Sequence, residues 1–211
     1  MRPFGFVLAL TLALATVTSS AARAADKADA CPYLPQFKAL ESKIAGMPPA
    51  AGLAAIARYE ADQNNENPEA CESFALDQLM SAREKKLVFL AHGKTRLHAQ
   101  SAFHCDALLD GTTKCNGVFE DGTAHPLSVG VRPRRLREAA TLRIESALPD
   151  AQLDGVYLAP IGDLLDGKPA ARLDATAGEI TLTPPHQLTA LIAIFRAPAP
   201  WSYRKLVWYF Q

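Results

Sequence analysis

Four cysteines, five histidines and a short run of arginines are the side chains of this sequence best suited to chemistry. The cysteines stand at 31, 71, 105 and 115, an even number without a Cys-x-x-Cys pair. In an oxidising compartment that pattern reads as two structural disulfides rather than a thiol nucleophile or a zinc site. The spacing favours Cys31–Cys71 and Cys105–Cys115. If Leu109-Asp110-Gly111 forms a three-residue hairpin loop, Cys105 and Cys115 face each other, with opposed β-carbons about 5 Å apart. A turn at Asn116-Gly117 would instead leave Cys115 beside the bend.

Among the histidines, His92, His98 and His104 are six residues apart. On one straight strand over 95–105, His98 and His104 share a face. At about 3.3 Å per residue they lie roughly 20 Å apart, too far to ligate one zinc. Arg96, His98, Gln100 and His104 therefore read as a polar, solvated face opposite Leu97, Ala99, Phe103 and Cys105. His125 and His186 each neighbour a proline in a connection, where either could join an Asp or Ser from elsewhere in the chain. Gly-x-Ser-x-Gly and His-Glu-x-x-His are absent, so the sequence designates no catalytic residue, metal ligand or cofactor.

Arg132, Arg134, Arg135 and Arg137 fall within six residues. Such a cluster could bind an anion such as a lipid headgroup or an acidic partner surface, but isolated basic runs are common and a solvated connection between strands is the preferred reading.

The elements that must position these groups fall into two kinds. Over 31–86 the apolar period is helical. Tyr33, Leu34, Phe37, Leu40, Ile44 and Met47 form one stripe, closed by Gly46 and Pro48-Pro49. A second helix runs from about Pro49 to Asp62, with Leu53, Ile56 and Tyr59 on one side. A third starts at Asn67-Pro68-Glu69, a capping residue, a first-turn proline and an acid, with Cys71, Phe74, Ala75, Gln78, Leu79 and Ala82 along its stripe. In an up-down-up arrangement the first and third helices begin at one end. A Cys31–Cys71 bond would close there, worth about 4 kcal/mol in loop entropy.

From Leu87 the period becomes two, and Asp-Gly pairs at 110–111, 121–122, 154–155 and 166–167 signal tight hairpins. Candidate strands cover 87–92, 95–105, 113–120, 126–132, 140–147, 153–159, 179–183, 188–196 and 203–210. Leu191 to Phe195 is apolar on both faces and should be central. Residues 134–146 fit a helix nearly as well as a loop and strand; the strand is preferred. The expected fold is α+β: a three-helix segment over 25–86, then an antiparallel β-sandwich of about eight strands over 87–211. The aromatic C-terminal strand, with Trp208 and Phe210, completes the sheet; the helical first third and the lack of sustained lipid-facing alternation argue against an outer-membrane barrel.

The start of the chain bears on compartment. Arg2, an apolar run from Phe4 to Val17 and Ala22-Arg23-Ala24 make a secretory signal peptide over 1–24. Ala28-Asp29-Ala30 is a poor lipobox, so Cys31 is not read as a lipid anchor. The remainder holds no further apolar stretch of spanning length. The whole chain carries 22 basic and 22 acidic residues; loss of Arg2 and Arg23 with the leader leaves 20 against 22, a charge of −2. That balance argues against bulk nucleic-acid binding.

These features describe a periplasmic or secreted, disulfide-stabilised binding or accessory protein of a bacterial-type cell envelope. Its expected partner is another envelope or secreted protein, recognised through the β-domain. The alternatives are a hydrolase acting on an envelope polymer through a histidine–carboxylate site, and a component that self-associates through its C-terminal strand.

Overall fold

The computed structural model describes residues 34–63, 70–107, 113–115, 132–174, 178–196 and 203–211. The leader, Cys31 and its expected bond to Cys71, His125, and nearly all of the candidate strand over 126–132 lie outside these residues or their described side chains.

Three helices come first: α1 (Leu34–Ile44), α2 (Pro49–Gln63) and α3 (Ala70–Leu87). The Gly46 and Pro48-Pro49 stop falls between α1 and α2 as the sequence predicts. Leu40, Ile44, Leu53 and Ile56 are buried along the expected stripes. Arg83 of α3 spans the junction, donating to the carbonyls of Leu79 and Ile44. Gly52 makes room for it, since a β-carbon there would lie 2.5 Å from the Arg83 Nε.

The buried face of α3 is not the expected one. Gln78 and Ala82 are exposed, and Leu76, Met80, Glu84 and Leu87 point inward. A buried acid at 84 interrupts the apolar period and hides the true face.

α3 runs directly into β1 (Val88–His92), and β2 (Thr95–His98), β3 (Ser101–Ala107), β4 (Thr113–Cys115), β5 (Ala140–Ser146) and β6 (Gln152–Pro160) follow. After the short helix α4 (Ile161–Leu165) come β7 (Ala171–Leu173), β8 (Glu179–Leu182), β9 (Thr189–Arg196) and β10 (Tyr203–Phe210). The fold is α+β, with helices followed by two antiparallel sheets. One sheet has the order β2-β1-β5-β8, the other β4-β3-β10-β9-β6-β7. Residues 140–146 are a strand, as preferred over a helix, and the Leu191–Phe195 run lies mid-sheet in β9.

A single apolar cluster joins both sheets and the helices. It contains Leu90 and Leu142 from the first sheet, Leu191, Leu206 and Trp208 from the second, and Leu53, Ile56 and Met80 from the helices. A second cluster lies on the other face of the larger sheet, around Tyr157, Ile192, Val207 and the disulfide. Every residue of β10 is therefore buried. Paired to β3 on one side and β9 on the other, it offers no free edge, which removes self-association through that strand.

Two further features depart from the sequence reading. The single strand expected over 95–105 is two, broken at Ala99-Gln100, where the chain passes from one sheet to the other. Ala99 is buried at the corner and the Gln100 N–H donates to the Val207 carbonyl at 2.8 Å. Asp154-Gly155 is not a turn either. It forms a bulge within β6, where a β-carbon on Gly155 would lie 3.0 Å from the Tyr157 ring. The turn into β6 instead uses Asp150 at a φ of 52°. Asp166-Gly167 does end an element, closing α4 with Gly167 at a φ of 73°.

Candidate functional site: a basic cleft at one end of the sandwich

The arginine run owes its position to the end of β10. β3 pairs with β10 only from Tyr203 to Val207. Beyond that point, residues 134–136 take the place of β3, running parallel to the end of β10. The Arg134 N–H donates to Tyr209, Gln211 donates back to Arg134, and Leu136 donates to Gln211. The Gln100 amide fastens the start of this segment to the Arg132 carbonyl at 2.6 Å. From there the chain crosses to the first sheet as β5. The Trp208 indole N–H bonds the Leu97 carbonyl at 2.8 Å, tying the two sheets at the same corner.

The result is a cleft of about 330 Å³ between the two sheets. Its floor is apolar, made of Leu97, Leu136, Leu142 and Phe210, and Arg134, Arg135, Arg137 and His92 stand around it. Arg135, Arg137 and His92 are exposed; Arg134 is half-buried, with an Nε that has no hydrogen-bond partner among the described residues.

Register places a further cation and a histidine at this end. The β1–β2 turn carries exposed Lys94. β8 ends at Leu182 opposite Ala140 and β9 begins at Thr189 opposite Phe210, so the connection bearing exposed His186 leaves the same end. Glu138 lines the cleft as a counter-charge, whereas Asp163 and Asp166 of the nearby α4 region engage Lys168 at 2.7 and 3.4 Å. A chain with no net charge thus collects cations at one end. Half-buried Arg134 and exposed Arg135 and Arg137 can hold a carboxylate through charge-assisted, two-pronged hydrogen bonds.

The remaining groups occupy separate surfaces. His98 lies on the outer face of the first sheet, with its Nδ1 3.1 Å from the Lys85 carbonyl and its ring against Phe89. Arg96 stacks over Phe89 there at 4.2 Å, and Arg143 and Arg96 both reach Glu145. This is the expected solvated polar face. It ends at His98, however, because the corner at Ala99-Gln100 puts His104 in the other sheet, where its backbone pairs with Arg204. Among the described residues no three metal-ligating side chains converge.

The second cysteine pair is as the sequence predicts. Cys105 and Cys115 are register partners and are bonded, with a sulfur–sulfur distance of 2.05 Å and α-carbons 4.2 Å apart.

A larger groove, about 630 Å³, runs between α1 and α2 over Leu40, Met47 and Ala51, but Lys43, Arg58 and Asp62 along it mix both signs. The smaller cleft is the stronger site because three arginines face a single acid, Glu138, and its apolar floor is fixed by both sheets. Neither His92 nor Phe210 could be assigned to it from sequence, since only the sandwich corner brings them to the arginines. No protein-family model, curated protein or solved structure matches this chain.

Proposed function

We propose that this chain is an exported binding or accessory module that recognises an acidic segment of another envelope or secreted protein at the basic end of its β-sandwich. The single observation that carries the reading is the convergence of Arg134, Arg135 and Arg137 around an apolar-floored cleft. A solvated linker would leave those side chains dispersed. Here backbone pairing to β10 holds the segment in place, so the charges are presented from a rigid support.

Export is supported by the leader-like first 24 residues and by the Cys105–Cys115 bond, which persists in oxidising compartments. No described helix is long and apolar enough to cross a membrane. The hydrolase alternative drew on His98, His104, His125 and His186. His98 and His186 lie on separate surfaces, and His98 bonds a backbone carbonyl rather than a carboxylate or hydroxyl.

The test is comparative capture from native envelope extract. Tagged chain beginning at residue 25 is set beside its R134E/R135E/R137E variant. A partner recovered by the first and lost with the second supports the reading. Equal recovery by both would contradict it.

A further inference from the structure

The arginines account for an anionic ligand, but not for the shape of the cleft beneath them. A purely electrostatic patch needs no cavity. This one has Leu97 and Leu136 half-buried and Leu142 and Phe210 buried beneath a rim in which Arg134, Arg135 and Arg137 outnumber Glu138, and at about 330 Å³ it lies at the small end of ligand sites. That volume suits one large side chain rather than an extended acyl chain. We infer that the cleft takes an aromatic or leucine side chain of a peptide whose neighbouring Asp or Glu residues pair with Arg134, Arg135 and Arg137.

The division of labour follows from chemistry. An apolar anchor seated on the floor displaces water from half-buried Leu97 and Leu136, and it excludes solvent from the guanidinium groups beside it. A carboxylate arriving at the edge then meets cations whose hydration is already reduced, where a forked Arg–carboxylate bond is strongest. It also brings an acceptor to the side chain of Arg134, whose buried Nε has no hydrogen-bond partner among the described residues. A membrane surface fits less well. The apolar groups are recessed below charged ones, whereas interfacial binding requires apolar side chains that project.

This inference rests on the proposed acidic-partner reading, and paired peptides separate the two. Fluorescence anisotropy would compare labelled Glu-Glu-Phe-Glu-Glu with Glu-Glu-Ala-Glu-Glu on the chain from residue 25, on its Leu136→Ala variant and on R134E/R135E/R137E. The phenylalanine peptide is expected to bind about tenfold or more tighter, the free energy of burying one large apolar side chain. Leu136→Ala should narrow that ratio, and the charge reversal should abolish both complexes. Equal affinity for the two peptides would overturn the anchor while leaving anion recognition standing. Binding of neither peptide would overturn the acidic-partner reading itself. If phosphatidylglycerol vesicles bound in place of the peptides, the site would belong to a membrane surface and the inference would fall.

Discussion

Arg204 and Lys205 are consecutive residues of β10, and the strand sends them into opposite layers of the protein, where both are buried to within 1%. Arg204 faces α3, where its Nε lies 2.6 Å from the Glu84 carboxylate and a second guanidinium nitrogen meets the Met80 sulfur at 3.2 Å. Lys205 faces the disulfide side. Its ammonium sits 4.6 Å above the Phe103 ring and has no hydrogen-bond partner among the described residues. One strand therefore holds two buried basic side chains, Arg204 beside a carboxylate and Lys205 over an aromatic face.

Lys205 should cost stability at neutral pH. Burial lowers its amine from the ordinary 10.5 to about 7. Between those values the unfolded chain binds more protons than the folded one, so this group's contribution to stability rises from pH 7 to pH 10.5. Lys205→Met should stabilise the protein at pH 7 by roughly 1–3 kcal/mol, with the gain vanishing towards pH 10.5. Urea unfolding at pH 7, 8.5 and 10 checks this. Destabilisation at all three would show that the lysine has a compensating partner.

Glu84 carries the opposite slope. Burial pushes its carboxyl up to about 7, against the pull of Arg204 and with help from the charge of Asp77. The folded state then binds more protons between pH 4.5 and 7, so this contribution falls as pH rises through that window. Arg204→Leu alone should cost about 3–5 kcal/mol at pH 8 and less at pH 5, because it leaves an ionised acid buried beside its lost cation. Removing both charges, as Glu84→Leu with Arg204→Met, should recover most of that loss in denaturant titrations. A double variant as unstable as the single one would show that Glu84 is not the source of the penalty.

The same pair explains where the sequence was readable and where it was not. Alternation from Leu87 onward, the apolar Leu191–Phe195 run and the Cys105–Cys115 spacing are local signals, and the sheets, the mid-sheet strand and the disulfide follow them. The inward face of α3 is not local, since Glu84 is buried only because β10 delivers Arg204 to it. Ala99-Gln100 carries no breaker residue, so the corner that separates His98 from His104 is set by tertiary packing. Asp154-Gly155 looks like a hairpin turn and serves as a bulge. The short α4 and β7 give too little periodic sequence to detect. At the candidate site the arginines stand out in sequence, whereas the cleft beneath them exists only once two sheets meet.

The disulfide fastens β4, an edge strand of three residues, to β3. A bridge closing so short a loop is worth about 3 kcal/mol. Replacement of both cysteines by alanine should lower stability by about that much and release β4 first. Amide hydrogen exchange at Thr113 to Cys115 should accelerate before exchange in β9 or β10 changes. Uniform acceleration across the larger sheet would show instead that the bond supports the sheet as a whole.

Arg134, Arg135 and Arg137 acting together as an anion-recognition site can be tested on the isolated protein. Isothermal titration with a hexaglutamate peptide tests it most directly, on the chain from residue 25 and on R134E/R135E/R137E, at low and at physiological salt. Binding should weaken with salt and fall at least about tenfold in the variant, with its circular dichroism unchanged. Absent binding, or equal affinity for both proteins, would contradict it.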